Sequence, residues 1–345
     1  MELGGGGKSM RRRRFLSSIA LGAAGALIAP RLAAAADFYQ GKTVTVIVGF
    51  APGGGVDATA RAVARHLVRF IPGQPGVVVQ NMEGAAGSVA ANYLARRAAP
   101  DGLTLAVPGR SWFIDGLVNG SGNLFDPAKL SYIGSPGAVN SVLYVRSGIG
   151  IRGLPDLKSS ARPVVFGALG ATTATATVPA LLAAAGWPIR VVLGYVSTAR
   201  VLLALEQNEV DGFFTVEDSL GNRQDLIART VYPILQTTAR HADLPLLQDV
   251  VPPRDLPLLS LVLAVDRLGI PVVGPPGMPA DLVDILRKAF LEMARDPQYQ
   301  ADARKVDLPV GAAIDGAALA VKIAELAGAA TPDVIAAYRA LVARK

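Results

Sequence analysis

No cysteine occurs anywhere in the 345 residues. That excludes disulfides, thiol catalysis, cysteine-ligated zinc and a lipid-modified cysteine. Histidine is almost as scarce: His66 and His241 are the only two. A multi-histidine metal site or a Ser-His-Asp triad is therefore not expected, and no Gly-x-Ser-x-Gly elbow is present. No cofactor is implied. Aromatic residues make up only 6% of the chain against 51% apolar residues in all, so a core must be built from Ala, Val, Leu and Ile. No long tract of one charge suggests disorder.

The basic balance is concentrated at one end. Residues 1–36 hold six of the 34 basic residues and one of the 27 acidic ones, leaving 28 basic against 26 acidic in the rest. The high isoelectric point is thus no argument for nucleic acid, which would want a clustered basic face. Arg11-Arg12-Arg13-Arg14 precedes an apolar run from Phe15 to Ile28, then Pro30 and Ala33-Ala34-Ala35-Ala36. These are the three parts of a secretory signal peptide, with cleavage expected near Ala36 and a periplasmic destination. Arg12-Arg13-Arg14-Phe15-Leu16 fits the twin-arginine pattern, although Arg11 stands where Ser or Thr is usual. The apolar run is short of the ~20 residues that span a bilayer. Met10 is an alternative start. Gly4-Gly5-Gly6-Gly7-Lys8-Ser9 imitates a phosphate loop, but Glu2 stands where the first Gly belongs and no strand precedes it.

Beyond the leader, β-rich runs alternate with helical periodicity. Thr43–Val48, Val77–Val79, Leu103–Val107, Val164–Phe166, Ile189–Leu193, Gly212–Thr215 and Val231–Leu235 read as strands. Helices are expected from about Asp57, from a Ser88 cap to about Ala98, and over Thr177–Ala185, Thr198–Gln207, Ala280–Arg295, Ala317–Ala327 and Pro332–Ala343. Arg61, Arg65 and Arg69, four apart, read as a solvated stripe, and His66 as a residue of a surface helix face. Successive β-α-β units imply an α/β fold with mostly parallel sheets, whose ligand sites lie beyond the strand C-terminal ends. Two apolar segments, Tyr132–Val145 and Leu256–Val273, break the rhythm. As crossings between lobes they divide the chain into lobe one (37–138 plus 257–345) and lobe two (139–256).

The turn Phe50-Ala51-Pro52-Gly53-Gly54-Gly55-Val56-Asp57 lies between a strand and a helix. Free backbone N–H groups and the helix dipole favour an anion there, and glycines let a ligand approach the backbone. The same spacing also describes an ordinary tight β–α turn.

The chain resembles the substrate-binding proteins of tripartite tricarboxylate transporters, the Bug family. Phe50 to Asp57 matches its Phe-x-Pro-Gly-Gly-x-x-Asp turn, and Asn81-Met82-Glu83-Gly84-Ala85-Ala86-Gly87 its Asn-x-x-Gly-Ala-x-Gly segment. Pro100-Asp101-Gly102-Leu103-Thr104 matches its Pro-Asp-Gly-x-Thr turn, and Pro275-Pro276-Gly277-Met278-Pro279 resembles a later Pro-x-Gly-x-Pro turn. The resemblance implies a two-lobed periplasmic-binding-protein-like fold closing on a small organic acid or amino-acid-like ligand. It further implies a monomer that serves the membrane subunits of a tripartite tricarboxylate-type transporter. Contacts implied in lobe one are Ala51, Pro52, Gly53, Gly54, Asp57, Arg110 and Ser111. Those in lobe two are Ala171, Thr172, Thr173, Tyr195, Ser197 and Thr198.

Several positions depart from the family pattern. Arg110 stands where small or hydroxylated residues are usual, as a partner for a carboxylate or as a rim arginine facing solvent. Ser197 replaces a Gly, and Trp112-Phe113 are expected to add bulk near the mouth. Glu217 and Asp218 would repel an acid unless they point away. Presentation of the ligand to a sensor, or a periplasmic α/β hydrolase, are the competing functions.

Overall fold

The computed structural model describes residues 38–343 apart from 54, 119–124, 196–197, 218–219, 221–228, 306–307 and 309–311. The expected leader, and Gly54, Ser197 and Asp218, lie outside the described residues.

The first sheet has the order β11-β4-β10-β3-β1-β2. Its strands are β1 (Thr43–Val48), β2 (Gly76–Asn81), β3 (Thr104–Val107), β4 (Ser131–Ser135), β10 (Val272–Gly274) and β11 (Ile314–Asp315). The second sheet, β7-β6-β8-β5-β9, uses β5 (Ser141–Arg146), β6 (Val164–Gly167), β7 (Ile189–Val192), β8 (Gly212–Val216) and β9 (Val231–Gln236). Around them lie α1 (Gly55–Leu67), α2 (Ser88–Arg96), α3 (Trp112–Val118), α4 (Leu154–Lys158), α5 (Ala174–Ala184), α6 (Thr198–Glu206) and α7 (Leu247–Val250). After them come α8 (Leu256–Leu268), α9 (Ala280–Arg295), α10 (Pro297–Lys305), α11 (Gly316–Ala329) and α12 (Pro332–Ala343).

The chain is a two-lobed α/β protein whose sheets are mixed around a parallel core. β1 runs parallel to β2 and β3, and β6 parallel to β7 and β8. β10 is antiparallel to β3 and β4, and β5 antiparallel to β8 and β9. The reversal has a topological cause. β5 and β10 are the strands that the chain enters on passing from one sheet to the other, so each starts at the edge where parallel strands end. Ser141, the first residue of β5, pairs with Val216, the last of β8. Val272, the first of β10, pairs with Gly134 near the end of β4. Both crossings therefore join the C-terminal ends of the two parallel cores.

Alternation along β1 splits its side chains between two cores. Val44, Val46 and Val48 pack with Val63, Leu67, Leu286 and Phe290 of α1 and α9, while Ile47 packs on the other side with Ala90, Ala91 and Leu94 of α2. The aliphatic interior expected from composition is present. The segment Leu256–Val273 comprises α8 followed by β10, and Tyr132–Val145 comprises β4, a crossing and β5. The C-terminal helix α12 packs on α5, α8 and α3.

One surface reading is corrected. His66 is buried, 1% exposed, because α10 lies across α1. Its Nε2 is 3.2 Å from an Asp302 oxygen and its Nδ1 is 2.9 Å from Nη1 of Arg69. Arg61, Arg65 and Arg69 are exposed, as expected of a solvated stripe, with Arg69 reaching Asp296 at 2.9 Å and Arg61 reaching Asp57 and Asn81 at 2.9 and 3.0 Å.

Candidate functional site

The turn after β1 is held in shape by its own acid. Asp57, in the first turn of α1, is 3% exposed. Its Oδ2 accepts from the Gly53 backbone N–H and from Nε of Arg61, both at 2.9 Å, and its Oδ1 accepts from Nδ2 of Asn81 at 2.8 Å. The same Asn81 nitrogen donates to the Phe50 carbonyl at 2.8 Å. Burial alone would push the Asp57 carboxyl up, but the bonds from Arg61, Gly53 and Asn81 prevail and hold it down to about 2. Gly53 has φ +84°, a conformation that glycine adopts without strain. The result is a turn whose residues Ala51 to Gly53 are exposed and pinned from beneath. Asp57 therefore faces inward and shapes the turn, with both oxygens engaged within the chain.

The loops after β2 and β3 pack directly against this turn. The Phe50 ring lies where a β-carbon on Gly109 would sit, and the Pro108 carbonyl where one on Gly87 would sit. Backbone bonds from Gly49 to Val107 (3.1 Å) and from Met82 to Val48 (2.7 Å) extend the ladder into the loops. Gly87, with φ +98°, precedes α2, so Ser88 is its first helical residue and not its cap. The Ser88 hydroxyl goes to Asp115 instead, at 3.1 Å. Burial raises the Asp115 carboxyl above its ordinary value despite that bond.

Arg110 follows in the third loop. Its Nη1 lies 3.3 Å from Oδ1 of Asp266, and 27% of the arginine side chain is exposed. It is neither a free rim arginine nor fully consumed by its partner. Asp266, in the last turn of α8, is 1% exposed, and its other oxygen accepts from the Thr237 hydroxyl at 3.0 Å. Burial pushes its carboxyl up, against the pull of Arg110, Ser141 and Thr237. Ser111 is partly exposed, and its carbonyl accepts from Asp115 N–H at 3.2 Å as α3 begins.

Trp112 and Phe113 do not stand at the mouth. They are 0% and 1% exposed, because α3 turns its apolar face onto α2, α8 and α12. The Trp112 ring lies 5.6 Å from that of Phe125.

In the second lobe, the loop after β6 is stapled by hydroxyls. Thr173 Oγ1 donates to the Gly170 carbonyl at 2.6 Å and lies 2.7 Å from Thr175 Oγ1, which accepts from Leu169 N–H at 3.1 Å. The Thr173 side chain thus holds the loop and makes no capping bond to α5. Ala171 and Thr172 form the turn, and the Thr172 carbonyl accepts from the Tyr338 hydroxyl of α12 at 3.4 Å. The Tyr195 ring packs on Gly167, 3.2 Å from where a β-carbon would stand. Its hydroxyl is raised in pKa by burial and by Glu209. Thr198 opens α6.

Glu217 does not stand as a bare acid. His241 Nε2 lies 2.6 Å from one of its oxygens, and Nη1 of Arg240 and Nδ2 of Asn140 donate to the other at 3.2 and 3.3 Å. Both histidines are thus bound to carboxylates. Among the described residues no group of three or more His, Asp or Glu is arranged to hold a metal.

The structure brings Ala51, Pro52, Gly53, Asp57, Arg110 and Ser111 to one end of the first sheet. It brings Ala171, Thr172, Thr173, Tyr195 and Thr198 to the loops that follow the parallel strands β6 and β7 of the second. Sequence reasoning passed over Asn81 as a site residue, and missed Asp266, Thr237 and Tyr338. Only Asp266 carries a local signal, as the one acid in the apolar stretch Leu256–Val265 and its continuation to Val273.

No family model matches the chain. A protein of Pseudomonas sp. strain P51, the UPF0065 protein in the tcbD-tcbE intergenic region, is 29% identical over 245 residues, covering 68% of this chain and 69% of that one. BugT of Bordetella pertussis is 41% identical over 102 residues, 30% of each chain. Among solved structures, a TctC solute-binding protein from Polaromonas shares the fold with a TM-score of 0.65 at 16% identity, over 88% of this chain and 99% of its own. MatC of Rhodopseudomonas palustris with bound malate does so with a TM-score of 0.60 at 20% identity, over 87% and 99%. The chain is thus similar in sequence to UPF0065 and Bug proteins and shares the two-lobed fold of a TctC solute-binding protein.

Proposed function

We propose that the chain captures a small carboxylate-bearing solute between its two lobes and hands it to the membrane subunits of a tripartite tricarboxylate-type transporter. The observation that carries this reading is the turn from Phe50 to Asp57. Ala51, Pro52 and Gly53 are exposed at the C-terminal end of β1, and buried Asp57, bonded to Gly53, Asn81 and Arg61, fixes the shape of the turn. The start of a helix suits an anion, and a turn fixed before binding reduces the entropy lost on capture. The malate bound by MatC agrees with an acid ligand of this size.

In this reading Ala51, Pro52, Gly53 and Gly54 supply backbone contacts from lobe one, with Arg110 and Ser111 beside them. Ala171, Thr172, Thr173, Tyr195, Ser197 and Thr198 close from lobe two, across boundaries near residues 138 and 257. Asp57 acts by holding the turn. Closure about the two crossings traps the ligand, and export by the twin-arginine route brings the chain to the periplasm.

Differential scanning fluorimetry with malate, succinate, adipate, aromatic acids and amino acids tests the proposal. A rise in Tm with at least one acid is expected, since a ligand that binds only the folded state stabilises it. No shift with any of them at millimolar concentration would defeat it.

A further inference from the structure

We propose that Asp266 is a positioning residue for the cleft: it aims Arg110 at an acid group of the ligand and makes that grip depend on where the second lobe stands. The inference rests on the reading of the cleft as an acid-binding site. It deepens that reading by naming how one contact is built.

Asp266 is gripped from both sides. Oδ1 faces Arg110, from the loop that follows β3 in the first sheet, at 3.3 Å. Oδ2 accepts from the hydroxyl of Thr237, which directly follows β9 in the second sheet, at 3.0 Å. That hydroxyl oxygen also accepts from the backbone N–H of Ser141, at the start of β5, at 2.9 Å. The main-chain carbonyl of Asp266 accepts from Val139 N–H in the other crossing, at 2.9 Å. One residue at the end of α8 thus touches loops of both sheets and both crossings.

The geometry leaves Arg110 available. A guanidinium carries five N–H donors in a planar fork, and the contact with Asp266 engages one nitrogen at a long distance. More than a quarter of the side chain remains exposed. A second carboxylate can therefore take the rest of the fork, in the bidentate manner that favours arginine at such sites. Without Asp266 the side chain would be free to turn to solvent.

Packing does not account for the acid. Asp266 is 1% exposed, in a helix whose other buried residues include Leu259, Val262, Leu263 and Val265. A buried carboxylate in such surroundings is costly, and an apolar residue of similar size is often as stable or more so. A role in the cleft accounts for its presence. Because its two oxygens are held from opposite sheets, motion of the second lobe shifts Thr237 and Ser141, moves the carboxylate and re-aims Arg110.

The test uses the full exported chain and isothermal titration with malate, succinate and adipate. Asp266→Asn keeps the shape and weakens the pull on Arg110; Arg110→Ala removes the donor; the double variant closes the cycle. Each single variant is expected to weaken binding of the preferred acid by roughly tenfold or more. The double variant should be no weaker than Arg110→Ala beyond about twofold, since the two act as one unit. Thr237→Val retains the charge, frees one oxygen, and should weaken the same acid by roughly threefold, with a smaller ligand-induced decrease in radius of gyration by X-ray scattering. That variant decides the matter if Asp266→Asn does not fold. Affinity unchanged in folded Asp266→Asn or in Thr237→Val, or losses that multiply in the double variant, would overturn the proposal and leave the acid-binding reading standing. A wild-type chain that binds none of the acids would overturn both.

Discussion

Asn81 donates its side-chain amide to Oδ1 of Asp57 across 2.8 Å, joining the end of edge strand β2 to the first turn of α1. The same nitrogen reaches the Phe50 carbonyl, so one side chain closes the turn from both ends. Two residues 24 positions apart set the shape of the backbone proposed to hold the ligand.

Replacing Asn81 by Ala removes both donated bonds and the acceptor of Arg61, leaving a part-buried carbonyl and one carboxylate oxygen of Asp57 without this partner. The variant is expected to lose about 1–3 kcal/mol of stability, measured by urea unfolding. Its acid affinity should fall as well, because the turn is no longer preorganised. Affinity equal to wild type in the folded variant would show that the turn needs no clamp.

Asp57 sets the response to acid. Its folded carboxyl is held to about 2 against an ordinary 3.8, so the folded state binds its proton less readily than the unfolded chain does. The stabilisation is fully present above the ordinary value and is lost as pH falls from about 4 toward about 2. Urea unfolding at pH 5, 4, 3 and 2 should show that decline. It should be shallower in Asp57→Asn, which is less stable than wild type at pH 5.

Asp266 has the opposite sign. Burial raises its carboxyl, so the folded state holds the proton more firmly than the unfolded one. This contribution opposes folding at neutral pH and fades as pH falls through the raised value toward the ordinary carboxylate range. Asp266→Asn should therefore be at least as stable as wild type at pH 7, by calorimetric Tm, with an advantage that narrows on acidification. A more stable variant that binds acids less tightly would mark a residue kept for function.

Gly269 should tolerate no side chain. Its φ is +65°, and a β-carbon there would collide with the carbonyl of Gly137 in the neighbouring crossing and approach the Ser135 hydroxyl to 2.7 Å. Gly269→Ala is expected to cost about 2–4 kcal/mol through backbone strain and the clash together. Gly277→Ala is the control: it shares a positive φ, +78°, but a β-carbon would meet nothing within 4 Å. A loss in Gly269→Ala no greater than in the control would remove the close contact as an explanation.

Much of the architecture was legible because it is locally encoded. β1 spans the run of alternating β-formers as expected, and α9 and α12 begin and end where their periodicity does. Both are long amphipathic repeats between clear breaks. Helix α3 was not legible: it is seven residues long and its Trp-Phe start reads equally well as a loop. Helix α10 was missed because it is predominantly polar, with only Tyr299 and Ala303 buried. Helix α5 starts three residues before the expected Thr177, since the hydroxyl network of Thr173 and Thr175 is invisible in a propensity pattern.

The sequence by itself determined the α/β alternation, the aliphatic core, the absence of thiol chemistry and the ordered motifs that resemble those of Bug proteins. These are properties of neighbours along the chain, a few residues apart. The tertiary structure alone decided what each polar side chain does. Asp57 turns inward because Asn81 and Arg61 await it, Glu217 is paired because His241 and Arg240 reach it, and Arg110 stays near the crossings because Asp266 holds it there. Hydrogen bonds and ion pairs act over about 3 Å, and only folding brings Arg110 within that distance of a residue 156 positions away.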